Sequence, residues 1–538
     1  VYNGELYNTE DLRRELQAEG FSFRSYSDTE VLLTAYICWG EDCITKLNGI
    51  FAFAIYDADR QRLFLARDPL GVKPLFYAQR GHAFIFGSEI KTLLAHPLVK
   101  PEVGRDGLCE LFALGPANAP GSCVYKGISE IPPAYCLTVT PKDVRLREYW
   151  KPRAEEFHET AEQAAEHLRS LLFDAIRRQL VGDVPLCCFL SGGLDSSAIS
   201  AVAADEFKKQ GRQLTTFSID YEDNDKFFKP TLFQPTSDEQ WAQKMKDFIG
   251  SRHFTVLENQ QELAHRLRDA TRAKDLPGMA DVDSSLFIFC REIRKNYVIA
   301  LSGECADEIL GGYPWFTRPE LIGADTFPWS LSVGLRKSVL SKPLQGLPLE
   351  ETARARYLET LSQVPHLDKE PALDYRMREL FYLNVKWFMV NLLNRKDRMS
   401  MSNSLEVRVP FADYRLVQYA FNLPPDIKFL HGREKGLLRE CLRGTLPDEI
   451  VERKKSPYPK THNPLYTDCV CAMMSTLLQK KNAPLFELIG REKAAELVAT
   501  RGEAYKTPWF GQLMTGPQLI AYLLQVEYWL EDYRVQLV

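Results

Sequence analysis

The residues best suited to chemistry form one short loop, residues 191–197 (SGGLDSS), between an apolar run and a helical pattern. A loop in that position directs unpaired backbone N–H groups and the positive end of a helix dipole at a ligand. Its adjacent glycines, Gly192 and Gly193, let an anionic group approach the backbone, and its serines add hydroxyl donors. The pattern predicts a phosphate or pyrophosphate cradle. It lacks the GxxxxGK[ST] spacing of a γ-phosphate loop.

Asp195 lies inside this cradle, where a phosphate would repel its carboxylate. A divalent cation between the two groups removes that repulsion, so the residue predicts Mg²⁺. The alternative for a Ser/Gly loop between a strand and a helix is a simple tight turn. The whole SGGLDSS string resembles the pyrophosphate loop of ATP pyrophosphatases, enzymes that split ATP between the α and β phosphates.

A second polar cluster, residues 302–308 (SGECADE), directly follows another apolar run. Its carboxylates Glu304, Asp307 and Glu308 are costly to bring together without a cation or a shared proton. In open α/β sheets, ligands bind at the carboxyl ends of strands, so both loops and the strand that ends near Ile219 should converge on one ATP site. The alternative for this cluster is a solvated acidic turn.

These loops need a scaffold, and the sequence pattern divides the chain into two regions. Residues 1–150 show short β-type runs between turns, which predicts a sheet-rich domain. Residues 151–159 have no periodicity and are typical of a linker. Residues 160–538 alternate strand and helix and become mainly helical beyond about residue 348, which predicts a parallel sheet covered on both faces.

Individual elements follow from the same patterns. In the first region we predict strands at 50–57, 63–66, 75–77 and 83–86, and a helix at 8–19 capped by Asn8. In the second we predict strands at 184–190, 214–219, 252–257 and 297–301, and a helix at 194–207. The TAEQ string at 160–163 predicts a capping box, and the block 221–236 predicts an inserted surface loop.

Composition narrows the classes of partner. The net charge of -5 and the lack of a long Lys/Arg cluster argue against nucleic acid. No apolar run approaches the roughly 20 residues of a membrane span, and no signal peptide is visible, so we predict a soluble cytoplasmic protein without a membrane partner. The 12 cysteines show no zinc spacing and are typical of reduced core residues.

Six strings extend the resemblance over nearly the whole chain: VYNGELYN, SDTE, ARDPLGVKPLFY, SGGLDSS, SGECADE and LEVRVPF. Together they resemble the glutamine-hydrolysing asparagine synthetases. The resemblance implies an N-terminal nucleophile amidotransferase sandwich (1–150), followed after the linker by an α/β synthetase domain of the ATP pyrophosphatase type (160–538). It also implies that aspartate is adenylated to β-aspartyl-AMP with release of pyrophosphate, and that ammonia from glutamine then displaces AMP. A homodimer is left open.

The resemblance assigns roles residue by residue. It implies ATP and pyrophosphate binding by Phe189, Leu190, Ser191, Gly192, Gly193, Asp195, Ser196, Ile219, Ser302 and Gly303. Asp195 and Asp307 would hold Mg²⁺. Glu304 would serve amidation, either as general base toward ammonia or as an organiser of the adenylate. Lys455 would hold the activated intermediate, although a charge run such as RKKSPYPK is often a solvated face.

In the first domain, the resemblance matches Asn3 and Gly4 to an oxyanion hole and Glu5 and Asp28 to the groups that bind glutamine. That domain type attacks the amide with a terminal cysteine. The chain opens at Val1 without Met, so we expect a missing N-terminal segment, and the first cysteine, Cys38, lies in a predicted helix. From the given chain we therefore expect synthesis from ammonium but no release of glutamate from glutamine.

Several interpretations stay open. The β-lactam synthetases share the architecture but have tyrosine where this chain has Glu304. Another amide-forming ligase of the ATP pyrophosphatase type and a non-catalytic nucleotide-binding fragment are further alternatives. Arg395, Asp397 and Arg408 are candidates for aspartate binding or for ion pairing. The family more often has glycine at Cys305, so we expect a slightly different backbone there, because cysteine does not freely adopt a positive φ.

Overall fold

The computed structural model describes residues 1–228, 237–456, 458–505 and 508–538. The elements of the first domain are β1 (Tyr2–Leu6), α1 (Thr9–Ala18), α2 (Asp28–Trp39), β2 (Gly49–Asp57), β3 (Arg62–Arg67), β4 (Phe76–Arg80), β5 (Ala83–Gly87), α3 (Ile90–Leu94), β6 (Glu102–Val103), α4 (Arg105–Leu114), β7 (Ser129–Glu130), β8 (Tyr135–Val139) and β9 (Val144–Glu148). They build an antiparallel sheet in the order β1-β2-β3-β8-β9 and a smaller one in the order β5-β4-β7.

Alternating apolar residues explain why these two sheets face each other. Ala54, Leu65 and Leu137 point from the larger sheet into a buried layer shared with aromatic residues of the smaller sheet. Phe53 and Phe64 point from the opposite face toward α1 and α2. The first domain is thus the predicted sandwich.

The second domain begins with α5 (Ala161–Arg178), β10 (Leu186–Phe189), α6 (Leu194–Lys209), β11 (Thr215–Tyr221), α7 (Asn224–Phe227), α8 (Glu239–Ile249), β12 (Arg252–Glu258), α9 (Gln260–His265), α10 (Leu267–Lys274), α11 (Asp281–Arg294), β13 (Ile299–Leu301) and α12 (Ala306–Leu310). It continues with α13 (Pro319–Ile322), α14 (Val333–Ser338), α15 (Leu349–Leu361), α16 (Ala372–Leu383), α17 (Val390–Met401), β14 (Glu406–Arg408), α18 (Tyr414–Asn422), α19 (Pro425–Lys428), α20 (Gly436–Cys441) and α21 (Asp448–Val451). It ends with α22 (Leu465–Gln479), α23 (Leu485–Leu488), α24 (Arg491–Ala499), α25 (Gly516–Tyr533) and β15 (Gln536–Leu537).

The central sheet of this domain is parallel throughout, in the order β12-β11-β10-β13-β14. Its central strand β10 is buried on both faces: Cys188 packs with α5 and α6, whereas Cys187 packs with α11 and α17. The parallel sheet predicted from the sequence is confirmed. Because all strands run the same way, the loops after β10, β11 and β13 lie at one edge.

Most of the predicted elements are confirmed, including the capping box, in which Thr160 and Gln163 bond reciprocally. The Asn8 cap is wrong: its side chain instead accepts from the backbone N–H of Asn48 at 3.0 Å and donates to the Lys46 carbonyl. The strand β14 inside the LEVRVPF string was not predicted, because three residues are too few for a periodicity. Of the predicted insert, residues 229–236 lie outside the described residues.

Three further expectations concern the linker, the cysteines and membrane-spanning helices. Residues 151–159 form no helix or strand. All 12 cysteines are free thiols; nine are buried, as predicted for core residues, whereas Cys38, Cys123 and Cys469 are partly exposed. Within the described ranges, no helix combines the length and apolarity needed to span a bilayer.

Candidate active site

The loops after β10 and β13 meet at the edge of the parallel sheet. A Cβ atom built on Gly303 would lie 2.8 Å from the backbone nitrogen of Ser196 and 3.0 Å from Cβ of Asp195. A side chain at position 303 would therefore push the two loops apart. The predicted convergence depends on this glycine.

The cleft above this contact has a volume of about 280 Å³. The sequence-predicted residues that line it are Phe189, Leu190, Ser191, Gly193, Asp195, Ser196, Ile219, Ser302, Gly303, Glu304, Asp307 and Lys455. The structure thus brings together the candidates from the two loops, from β11 and from the RKK segment.

Gly192 does not lie where its predicted role in pyrophosphate binding would place it. It is not among the described residues that line the cleft. Its φ is +69°, and a Cβ there would lie 2.3 Å from the carbonyl carbon of Trp241. Gly192 therefore lets the loop pack against α8, while Gly193, the N-cap of α6, faces the cleft.

Hydroxyl groups shape the first loop from within. Oγ of Ser196 accepts from the backbone N–H of Ser191 at 3.2 Å and lies 3.1 Å from Oγ of Ser191. Arg453 holds the same loop from outside, because its guanidinium donates to the Ser191 carbonyl at 3.2 Å and pairs with Asp238 at the start of α8. These contacts hold the loop from both sides.

Two lysines neutralise the acidic part of the cleft. The Lys435 ammonium lies 2.5 Å from Oδ2 of Asp195 and 2.5 Å from Oδ1 of Asp307, and the Lys455 ammonium lies 3.2 Å from Oδ2 of Asp307. Burial raises the pKa of Asp307, but the two lysines outweigh it and lower the pKa to about 2. For Asp195, burial prevails over Lys435 and its pKa is raised.

Burial also shifts the pKa values of the other ionisable groups around Asp307. Burial lowers the pKa of Lys455 despite the nearby Asp307. Burial, together with Asp307, raises the pKa of Glu308 to about 8, and the hydroxyl of Tyr313 donates to that carboxyl at 2.5 Å. The Lys455 ammonium also lies 3.9 Å from the centre of the Tyr313 ring.

Asp195 and Asp307 could also hold a divalent cation. Among the described residues, no group of three or more His, Cys, Asp or Glu side chains is arranged as a metal site. However, Oδ1 of Asp195 is buried and has no hydrogen-bond partner in the described part of the chain. Carboxylate oxygens supplemented by water and phosphate oxygens suit a hard cation such as Mg²⁺, so these residues fit one.

Glu304 lies at another wall of the cleft, beside a pair of cations. Its Oε1 lies 3.1 Å from Nη1 of Arg395, and its Oε2 lies 3.1 Å from Nζ of Lys396. Arg395 also pairs with Asp283 at 3.1 Å. The carboxylate is therefore held in one orientation facing the cleft.

The three weaker candidates separate in the structure. Arg395 lines the cleft, as one of the two predicted options requires. Asp397 and Arg408 form ion pairs between the domains instead: Asp397 with Lys73 at 2.9 Å, and Arg408 with Glu5 at 3.1 Å. The structure thus favours ion pairing for these two residues.

Cys305 keeps the backbone that a glycine would adopt. Its φ is 77°, in the left-handed region, and it is the N-cap of α12. The expectation of a different backbone is wrong, because a thiol buried to 1% exposure can be held in that conformation by its surroundings.

In the first domain, the residues predicted to bind the substrate glutamine and to form the oxyanion hole cluster around β1. Nδ2 of Asn3 donates to Oγ of Ser88 at 3.3 Å, and Asp28 accepts from the Tyr2 hydroxyl at 2.8 Å. Gly4 has no room for a side chain, since a Cβ would lie 2.0 Å from the Ile50 carbonyl oxygen. Burial raises the pKa of Glu5 to about 7, although Arg408 opposes the shift.

Sequence reasoning missed Lys435 and Lys396. Lys435 precedes Gly436 in an unremarkable GREKG string, and its left-handed φ of 53° was not predictable from its type. Lys396 follows Arg395 in the NRKDR run. The four consecutive charged residues in this run could have indicated a buried cluster of ion pairs.

Comparisons with known proteins agree with this geometry. The asparagine synthase family model matches residues 167–531, and the glutamine amidotransferase domain model matches residues 1–150. Asparagine synthetase [glutamine-hydrolyzing] 3 of Bacillus subtilis is 53% identical over 539 residues, which cover 100% of this chain and 88% of that protein. The human asparagine synthetase [glutamine-hydrolyzing] is 29% identical over 474 residues, covering 85% of this chain and 71% of that protein.

Proposed function

Because the chain belongs to the family of glutamine-hydrolysing asparagine synthetases, we propose that its cleft joins ATP and aspartate into β-aspartyl-AMP before ammonia enters. The chain is a carbon–nitrogen ligase of this family, with an asparagine synthase domain that amidates aspartate with ATP and a glutamine amidotransferase domain. The observation that carries the adenylate step is the pyrophosphate loop, which meets the acidic loop at Gly303.

The loop at the start of α6 would bind the pyrophosphate part of ATP. Gly193 opens the N-terminal end of the helix, and the hydroxyls of Ser191 and Ser196 lie beside it. The positive end of the helix dipole favours the anion there. Phe189, Leu190 and Ile219 would contact the adenosine part, with Ser302 and Gly303 on its other side.

We propose Mg²⁺ as the cation that Asp195 and Asp307 hold. When bound, Mg²⁺ neutralises charge on the phosphates and helps pyrophosphate to leave. Lys435 and Lys455 would supply positive charge from the protein itself at the same carboxylates. Lys455 would stabilise the charge that develops at the α-phosphate, because its ammonium lies in the cleft beside Asp307.

Glu304 would act in the amidation step. Arg395 and Lys396 hold both of its oxygens, so its position relative to the acyl group is fixed. The carboxylate can there accept a proton from the attacking ammonia or orient the adenylate. Either role is served by a carboxylate that is held in one orientation.

For the first domain we propose that Asn3 and Gly4 form the oxyanion hole and that Glu5 and Asp28 bind the α-amino group of glutamine. We propose domain boundaries at 1–150 and 160–538, joined by the linker 151–159. The twelve free thiols favour the cytoplasm as the location of the protein. A homodimer stays a prediction, which light scattering would test.

The test follows products in parallel from aspartate, ATP, Mg²⁺ and ammonium. Asparagine, AMP and pyrophosphate should appear together, whereas ADP and phosphate would contradict the adenylate. Asp195→Asn should abolish pyrophosphate release. Asp59→Asn, on an exposed turn between β2 and β3, should leave it intact. Equal release by both variants would contradict the assignment.

A further inference from the structure

Four consecutive charged residues occupy the middle of α17. Arg395, Lys396, Asp397 and Arg398 are each between 2% and 6% exposed. Burying a charge is costly unless a partner compensates it. Each of the four must therefore have a specific partner, and the partners fall into two groups.

The first two residues face the synthetase cleft. Arg395 and Lys396 each approach Glu304 at 3.1 Å, and Arg395 continues to Asp283 at 3.1 Å. Glu304 receives its orientation from this helix.

Asp397 faces the other domain. Its Oδ1 accepts from the Lys73 ammonium at 2.9 Å, and both side chains are buried. Lys73 is itself fixed, because its backbone N–H donates to Asp68 at 2.9 Å. This ion pair joins α17 to the loop after β3.

Arg398 makes the second connection to the first domain. It pairs with Asp275 at 2.6 Å and donates to the Ser88 carbonyl at 3.1 Å. The hydroxyl of Ser88 accepts from Nδ2 of Asn3, and Asp275 accepts from the backbone N–H of Ile90 at 2.9 Å. The same helix thus reaches the residue proposed for the oxyanion hole.

We propose that Lys73 and Asp397 are positioning residues for the amidation step, which set the orientation of Glu304 through α17. The helix is stiff, and residues 395 and 397 are only about 3 Å apart along its axis. A shift imposed at Asp397 therefore reaches Arg395 and Lys396 with little loss. The inference rests on the proposed function of the cleft, and it adds that Lys73 of the first domain helps to orient Glu304 of the second.

The ATP end of the cleft provides an internal reference. Asp195 and Asp307 are held by Lys435 and Lys455, which lie outside α17. Loss of the Lys73–Asp397 pair should thus change turnover with ammonium and leave the KM for ATP nearly constant. A general loss of structure would change both quantities.

The test replaces the pair by apolar residues of similar volume, Lys73→Met together with Asp397→Leu, so that no buried charge is left alone. In the full chain, kcat with ammonium should fall roughly ten- to hundredfold, the range caused by a displacement of about 1 Å at a reacting group. The KM for ATP should stay within about twofold. Lys73→Gln, which keeps a donor to Asp397, gives the same split more weakly and serves if the double variant shows no cooperative melt.

Asp11→Asn is the control for the domain interface, because it breaks a more exposed interdomain pair, between Asp11 and Arg178 at 2.7 Å, away from α17. It should retain wild-type kcat. An equal loss in the control, or wild-type kcat in a folded double variant and in Lys73→Gln, would overturn the inference. A wild-type chain that makes no asparagine from ammonium would overturn the proposed function itself, and this inference with it.

Discussion

The ammonium of Lys435 lies 2.5 Å from Oδ2 of Asp195, and it is equally close to Asp307. Carboxylates from two different loops thus share one cation. Those two carboxylates and the phosphates of ATP all carry negative charge, so the lysine compensates repulsion both before and after the nucleotide binds.

Lys435→Met should therefore reduce adenylation strongly while keeping the length of the side chain. Removing one partner of a buried charge cluster costs about 3–5 kcal/mol, and a loss of that size in the transition state corresponds to roughly a 10²–10⁴-fold loss in kcat/KM for ATP. The rate of pyrophosphate release at varied ATP concentration measures this loss in kcat/KM. Lys493→Met, which removes an exposed lysine paired with Glu496, is the control and should match the wild type. Unchanged release by Lys435→Met would refute the role given to this lysine.

Gly303→Ala should weaken ATP binding, because the new methyl group would lie 2.8 Å from the backbone nitrogen of Ser196. The two loops must separate to accept it, so we expect the KM for ATP to rise about tenfold or more, as overpacking costs typically ~1–3 kcal/mol. Gly346→Ala is a suitable control, since a methyl group there would meet no atom within 4 Å beyond its chain neighbours. If both variants have the wild-type KM, the loops do not depend on close contact at Gly303.

The sequence was sufficient for groups whose chemistry is local. The Asp195 loop and the acidic loop with Asp307 follow strands in the sequence, and parallel strands must end at the same edge of the sheet. Their meeting was therefore predictable. Asn8 shows the limit of such local reasoning, because a side chain suited to a cap found better partners 40 residues away at Asn48.

Groups that come from distant positions were not predictable. Lys435 reaches Asp195 across 240 residues, and no pattern in its own segment marks it. Gly192 was assigned to the ligand because glycine suits a phosphate loop, but contact with Trp241 requires glycine there as well. One residue type had two physical explanations, and only the packing distinguished them.

Arg336 should be among the most important residues for stability. It is fully buried and donates to the carbonyls of Phe112 at 2.7 Å, Ala113 at 2.6 Å and Trp509 at 2.8 Å. The first two carbonyls end α4, so this arginine ties the first domain to the C-terminal helices. Arg336→Met leaves several buried acceptors unpaired and should cost at least about 3 kcal/mol.

Thermal unfolding measures this effect, and Arg356→Met is the control, because Arg356 forms an exposed pair with Glu359. Its melting temperature should stay near the wild-type value, whereas Arg336→Met should melt well below it. Equal melting temperatures would show that the carbonyls find other donors.

Lys428 should make stability depend on pH. Its side chain is buried with its ammonium 4.4 Å from the centre of the Phe381 ring. Burial, with Arg378 nearby, lowers its pKa to about 7. In the unfolded chain the pKa is about 10.4. Between these values the unfolded state binds more protons, so the contribution of Lys428 to stability improves as pH rises from 7 toward 10 and is worst below 7.

Lys428→Met removes the buried cation and keeps an apolar side chain over Phe381. The variant should therefore be more stable than the wild type by about 1–3 kcal/mol at pH 6, and this advantage should shrink toward pH 10. Melting temperatures of both proteins across this range measure the difference. Lys493→Met is again the control, because an exposed lysine gives no change in this interval. A variant that is less stable at pH 6, or an advantage that does not vary with pH, would show that Lys428 is not a buried cation in solution.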